Sequence, residues 1–455
     1  MEAKNTKWLL ALLFVGTLMG ALDLAIIGPA LPVIQDEFGM QQRQLAWLLN
    51  SYTLFQMIGA LLLAKLADRY GPRPIYIASI ALFATGSLVL VLAESTTMLY
   101  AGRAIQGFGA GGFFPAAAAV IGARLPPAER GQALGILGMV WGLAFLLGPI
   151  LGGIFLRFSW QWLFAINLPI AAIMIVGAIK MLQPSEQREP QPFDKKGMLI
   201  LIVMMSALII AINGVDTNAP LDSLLSVPVS GSVLLIALLV VIFWRIEKRA
   251  QDPIVRPALF ESAQITKSCV ISFGSSATQS GSIFLPALLV IALDISAADS
   301  ALLLLPGIVA ATVAAPVFGK MINKTGTRFI LVLGQALVMV ALCIYAFAEL
   351  NFAIFIGASI LSGIGSAGLV GAPLRYILLA ETDNRDRAAS QGLLSVVSSV
   401  GRLLGAALVG TVAVSQGGGV GGYQAAFIGL LILAVPILFT TMALNSKVAE
   451  QLGSE

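Results

Sequence analysis

The stretch AKLADRYGPR (64–73) is followed much later in the chain by GKMINKTGTR (319–328). Asp68, Arg69, Gly71 and Arg73 correspond to Asn323, Lys324, Gly326 and Arg328 at a constant offset of 255 residues. Each stretch is a basic loop that links two apolar runs, and each holds the same place in its own part of the chain. A basic loop recurring by chance would not keep both its spacing and its topological position. The chain therefore reads as two similarly built halves, each a set of spans joined by short loops.

The composition says what the halves are made of. Hydrophobic residues make up 58% of the 455 and charged residues 11%, against about 25% charged in an ordinary soluble domain. Mean hydropathy is +0.93. A span needs about 20 mostly apolar residues, and runs of that kind fall near 8–34, 45–67, 74–93, 98–123, 131–156 and 161–182. Two more follow near 197–214 and 226–245. A last six lie near 266–293, 299–319, 328–348, 352–380, 388–414 and 423–443. The expected fold class is an all-α polytopic membrane protein of 14 transmembrane helices. It has an N-terminal six-helix bundle (1–182), a stretch of cytoplasmic linkers and two extra helices (183–263), and a C-terminal six-helix bundle (264–455).

Charge placement supports both the count and the orientation. With both termini cytoplasmic, all Lys and Arg but four fall in or beside cytoplasmic segments, as the positive-inside rule requires. The exceptions are Arg43 and Arg157 outside, and Arg103 and Arg402 within spans. Asp36, Glu37, Glu94, Asp216, Asp222, Asp294, Asp299 and Glu349 lie on the outer side. One span too many or too few would invert every later loop. Lys4 and Lys7 before an apolar run look like the start of a signal peptide, but the run is long and no small-residue cleavage site follows, so it reads as a first span.

Several chemistries are excluded. There is no histidine, and Cys269 and Cys343 sit in separate apolar runs, which leaves no metal site, no Cys/His nucleophile and no disulfide framework. No cofactor is expected. The net charge of +4 is explained by the loops and gives no reason to expect a nucleic-acid partner. An enzyme would need clustered catalytic groups, and a non-transporting sensor would carry a sizeable soluble domain; short loops and a single acid well inside a span favour neither.

Through AKLADRYGPR (64–73), GRAIQGFGAGG (102–112), AFLLGPILGG (144–153) and LDLAIIGPALP (22–32), the sequence resembles the major facilitator superfamily, and within it the 14-span drug:proton antiporter family, over about 8–444. LAKLADRYGPRP resembles that superfamily's loop motif, with Asp68, Arg69, Gly71 and Arg73 in place and Ala64 where a glycine is usual. The resemblance implies a latch that stabilises one conformation. GRAIQGFGAGG (102–112) resembles the fourth-span motif. There Arg103 and Gln106 are three apart on one face, although an arginine near a helix start also reads as one that snorkels to the surface. AFLLGPILGG (144–153) resembles the antiporter motif, with Gly148, Pro149, Gly152 and Gly153. Upstream, Gly131, Gly135, Gly138 and Gly142 form one helix stripe that needs a small-residue partner, and PGIVAATVAAPVFG (306–319) supplies one. LDLAIIGPALP (22–32) resembles the first-span motif around Asp23.

A carboxylate in a span costs roughly 2.5–3.5 kcal/mol on insertion scales, so Asp23 is expected to have a partner or a task. At ~1.5 Å per residue it lies about 22 Å above the cytoplasmic end of a ~30 Å core. Arg103 and Arg402 reach similar heights, and an Asp23–Arg103 pair follows as the proton-coupling candidate; a static ion pair fixing two helices is the other reading. Polar or aromatic residues placed to line a cavity are Trp47, Asn50, Tyr52, Gln56, Gln106, Trp141, Asn167, Gln279 and Arg402. The expected function is export of amphipathic small molecules or drugs by proton antiport in the plasma (inner) membrane, with antibiotic resistance as its outcome. The partners are protons, substrate and membrane lipid, and the chain acts as a monomer. Asp23, Arg103 and Arg402 together carry one positive charge, which favours neutral, zwitterionic or acidic cargo. A dedicated exporter of one lipid, siderophore or antibiotic is the alternative.

Overall fold

A computed structural model describes residues 3–182, 194–215, 220–383 and 386–445. The linker 183–193 and Asp216 lie outside the described residues. Among those described there is no strand. With no water to satisfy backbone groups in a hydrocarbon layer, helices that close their own hydrogen bonds are the expected solution.

The helices long and apolar enough to span are α1 (Lys7–Phe38), α2 (Gln44–Tyr70), α3 (Pro72–Val91), α4 (Thr96–Arg124), α5 (Pro127–Phe155) and α6 (Trp162–Met181) in the first half. Next come α7 (Lys195–Gly214) and α8 (Val227–Glu247), then α9 (Ala263–Leu293). The next helical stretch, Asp299–Phe347, is 49 residues long, far beyond one bilayer, and its backbone leaves helical geometry at Gly326. It is two spans, α10 (299–325) and α11 (327–347). The series closes with α12 (Phe352–Glu381), α13 (Arg387–Ser415) and α14 (Val420–Met442); among the described residues the thirteen long helices, with Asp299–Phe347 divided at Gly326, make fourteen spans. An even number returns the chain to the end where it began, here called the inner end.

The repeat seen in the sequence is built into the backbone. Gly71, between α2 and α3, has φ 90° and ψ 155°, and Gly326, between α10 and α11, has φ 77° and ψ 163°. Only glycine adopts this geometry without strain, and the two positions are 255 residues apart. The opening helix of each half is also interrupted in corresponding fashion, at Gly28–Ala30 in α1 and at Ser280–Phe284 in α9, each with a proline at or just beyond the break.

The halves meet along α5 and α10. A Cβ on Gly131 would lie 2.5 Å from the Gly319 carbonyl oxygen, one on Gly319 would overlap the Gly131 carbonyl, and one on Gly135 would lie 2.7 Å from the Ala315 carbonyl. Gly138 and Gly142 continue the seam against Ala315 and Thr312. The glycine stripe has the small-residue partner its spacing called for. One apolar cluster runs across the seam, taking Val120, Leu134 and Leu137 from the first half and Phe318, Ile322 and Leu379 from the second.

The extra pair is not peripheral. Met198, Leu201, Met205 and Ile209 of α7 pack with Leu54, Met57, Ile58 and Leu61 of α2 and with Leu393 and Val396 of α13, so α7 covers the line where the halves adjoin. The opposite face of α8, with Val233, Leu234, Leu238 and Val241, is exposed.

Because the seam is made of glycine backbone, Gly131→Leu is expected to wedge the inner end open. Overpacking of this kind costs about 1–3 kcal/mol, a population shift of roughly 5- to 150-fold. Leu379, buried beside Gly122, offers the readout. A cysteine at 379, in a background lacking Cys269 and Cys343, should react faster with a maleimide in the Gly131→Leu protein; an unchanged rate would refute the wedge.

Candidate functional site

One polar group inside the spans is built on α1, α2, α3 and α4. Asp23 is 2% exposed, and Arg103 and Gln106 are 0% exposed. Arg103 forms an ion pair with Asp23 through Nη1, which also donates to Gln106 Oε1 at 2.7 Å. Gln106 Nε2 donates to the other Asp23 oxygen at 2.7 Å and to Ser87 Oγ at 2.9 Å. Arg103 Nε reaches the Leu48 carbonyl at 3.4 Å, and its guanidinium lies 4.1 Å from the centroid of the Tyr52 ring. Tyr52 in turn donates to the Gly20 carbonyl at 3.0 Å, which ties α2 to α1 one turn before Asp23. Asn167 donates to Ser87 Oγ at 3.3 Å and completes the polar wall from α6.

Glycines permit this density. A Cβ on Gly107 would overlap the Tyr52 carbonyl, so α4 lies directly against α2 and Arg103 is carried to the bundle interior rather than to the surface. The snorkelling alternative for Arg103 is thereby excluded. The antiporter motif buttresses the same helix from the other side: a Cβ on Gly148 would lie 2.6 Å from that of Ala25, and one on Gly152 would lie 3.1 Å from the Ile26 carbonyl and 3.2 Å from Pro29. Pro149 and Gly153 point away and are exposed.

The remaining candidates separate. Arg402 is half-buried on α13 and lies 5.8 Å from the Trp141 ring of α5, so these two face each other across the halves. Asn50 does not face a central cavity: its amide donates to Asn213 of α7 at 2.7 Å, and Trp47 packs into the cluster between α2 and α7. Gln56 is half-buried on α2. Gln279, on α9, has a buried Nε2 with no partner among the described residues.

One residue escaped the sequence reading. Arg375, within α12, is 8% exposed. It donates to Gln391 Oε1 and Ser395 Oγ, both at 3.3 Å, and stacks on Phe114 of the opposite half at 3.7 Å. Its proximity to the basic inner loop had placed it among the cytoplasmic charges. The available signal was an arginine inside the apolar run 352–380.

The loop motif acts between the halves. Asp68 accepts the backbone N–H groups of Ala388 and Ala389, at 2.9 and 2.7 Å, at the N-terminus of α13, where the helix dipole favours a negative charge. Arg387 Nη1 donates to the Gly122 carbonyl at 2.8 Å. Asn323, the repeat counterpart of Asp68, donates to the Ala128 carbonyl. Arg69 lies 5.3 Å from the Tyr70 ring, and Arg73 is half-buried in the first turn of α3. The linker after α8 joins in: Asp252 pairs with Lys65 of α2, and Arg256 with Asp386 at 3.0 Å. Burial pushes the Asp386 carboxyl up, and Arg256 opposes that.

Two related six-helix bundles around a buried charge network, joined by polar contacts at the inner end, are the architecture of a membrane transporter built from repeats. Residues 13–255 and 268–452 match the profile of the Major Facilitator Superfamily, and the chain belongs to that family. It is 30% identical over 409 residues to the MFS-type transporter YfiU of Bacillus subtilis (strain 168), covering 89% of this chain and 79% of that one. It is 26% identical over 415 residues to multidrug resistance protein 3 of the same organism, covering 90% and 80%. The crystal structure of the human organic anion transporter MFSD10 (TETRAN) has the same fold, with a TM-score of 0.73 at 17% identity, covering 96% of this chain and 99% of that one.

Removing one member of a buried ion pair typically costs about 3–5 kcal/mol, because the other charge is left unpaired. Arg103→Gln should therefore melt well below wild type. Adding Asp23→Asn restores neutrality and should recover most of the loss. Melting of the purified protein in detergent checks the order; a double variant no more stable than the single would argue against the pair as the source of the effect.

Proposed function

We propose that the protein exports small amphipathic molecules from the cytoplasm by proton antiport, with Asp23 as the coupling carboxylate. The observation that carries the reading is the Asp23–Arg103–Gln106 network. Among the described residues, Asp23 is the one carboxylate buried in a span away from a helix end. Its only charged partner is a cation that cannot lose its proton. A proton arriving at Asp23 therefore cancels one member of the pair and leaves Arg103 with Gln106, the Leu48 carbonyl and the Tyr52 ring. A site that alternates between these two charge states is what coupling requires.

The change has a route to the seam. Asp23 sits on α1, α1 is held at Ala25 and Ile26 by Gly148 and Gly152 of α5, and the same α5 carries the glycine stripe that meets α10. Altering the pair alters how α1 bears on α5, and α5 is half of the hinge. The contacts between halves at Asp68, Gly122, Ala128 and Gly131 all lie on the inner side, so the conformation described is closed there. Relatives named for multidrug resistance support a broad substrate range. Positive-inside charge supports cytoplasmic termini, and the bacterial relatives support the plasma membrane as the site.

Reconstituted vesicles test the coupling. A proton gradient should drive an amphipathic fluorescent substrate in wild type and fail to do so in Asp23→Asn, with downhill exchange of substrate retained. Equal gradient-driven movement in both proteins would make Asp23 a structural partner of Arg103 and nothing more.

A further inference from the structure

The charge that the ion pair leaves uncancelled gathers in the second half. Asp23 neutralises Arg103, whereas neither Arg375 nor Arg402 has a carboxylate partner among the described residues. A fixed cation without a counter-charge inside a membrane protein is costly and marks a pathway or ligand site more often than a packing device. Both guanidiniums face the line between the halves, and each rests on an aromatic ring of the first half, Arg375 on Phe114 and Arg402 on Trp141. Rocking of the halves, as proposed above, would part those contacts and expose a forked donor suited to an acid group.

Between the two arginines the walls are polar. On α13, Gln391, Ser395, Ser398 and Arg402 follow at intervals of 4, 3 and 4, one helix face. On α9, Ser272, Ser276 and Gln279 do the same at 4 and 3, and Ser276 and Ser398 are hydrogen-bonded at 2.7 Å. A cleft lined by Ser272, Ser276, Arg375 and Ser398 on its polar side and by Leu369 and Leu374 on its apolar side lies between them. Ser395, which accepts from Arg375, is seven residues before Arg402, a rise of about 10 Å. Two donors here are buried and unused, Arg375 Nε and Gln279 Nε2. Neither helix carries a carboxylate at this level, over 268–279 or 391–402, that would balance a cation.

We propose that the molecule carried is an amphipathic organic anion, its acid group passing from Arg375 near the inner end to Arg402 farther out, along the hydroxyls of α9 and α13. This deepens the exporter reading and rests on it. Arg375, released from Phe114 when the inner end opens, takes the acid group first. Arg402, half-exposed while the inner end is closed, holds it next, with Trp141 against its apolar body. A cation of the same shape meets two like charges on the same route.

Three probes that differ only in charge test this: 1-pyrenebutyrate, its methyl ester, and the corresponding pyrenylbutyl trimethylammonium. Binding to the purified full-length protein is read by energy transfer from tryptophan. Wild type should bind the carboxylate at least about tenfold more tightly than either analogue, a difference of about 1.4 kcal/mol. Arg402→Gln and Arg375→Gln should each remove most of that preference while leaving the ester's affinity unchanged, which also shows that the variants are folded. Arg402→Lys should keep part of it. Equal affinities for all three probes in wild type, or a preference for the ammonium, would overturn the proposal. Gradient-driven movement in vesicles separates the two readings. Coupled export of the ammonium but not the carboxylate would refute the anion while leaving an exporter; selective carboxylate binding with no gradient-driven movement would refute proton-coupled export while leaving an anion site.

Discussion

In hydrocarbon, two helix bundles gain no hydrophobic free energy by joining, because lipid solvates their surfaces as well as they solvate each other. The connection between the halves must therefore come from close backbone approach and from polar contacts. Gly131 and Gly319 meet carbonyl to Cα, with Gly135 and Ala315 a turn away. At the inner end Asp68 caps α13 and Arg387 reaches Gly122. Everything else depends on this seam, since it is the main contact between the halves. Glycine and alanine make the closest approaches, with Leu134, Leu137, Phe318 and Ile322 packed around them.

The repeat supplies the frame and departs from symmetry where chemistry is placed. Gly71 and Gly326 share an unusual backbone geometry. Yet the residues 255 positions beyond Asp23, Arg103 and Gln106 are Thr278, Ala358 and Leu361. The first half holds a compact, electrically neutral network on which a proton can act. The second half holds two arginines spread along a hydroxyl-lined face. On the proposed reading, the proton and the cargo act on opposite sides of the seam, and a change at one side would reach the other through α5 and α10.

What the sequence disclosed follows from what is local. Span number and loop charge are properties of short stretches, and the fourteen helices, the repeat and the partner of the glycine stripe were all legible. Asp23 and Arg103 could be matched by depth because helix rise is fixed. Rotation about the helix axis is not local: it is set by which neighbour a helix packs on. For this reason Asn50 and Trp47, polar or aromatic and at a suitable height, turn out to face α7. Arg375 was hidden for a related reason. Near a basic loop its charge looked ordinary, and only the approach of Phe114 from the other half shows that it is buried.

The two extra helices bear on the same joint. Because α7 packs on α2 and α13 together, any rocking of the halves must shear against it or carry it with one of them. The hydrogen bond between Asn50 and Asn213 favours α2, since polar contacts in an apolar medium are the less easily exchanged kind. The linker after α8 reaches the other way as well, with Asp252 on Lys65 in the first half and Arg256 on Asp386 in the second. It crosses the inner mouth as a strap. A hinge opening there would strain both ion pairs; the Lys65–Asp252 pair is the more buried, whereas Arg256 is only half-buried against Asp386, so the Arg256 pair is the weaker tie.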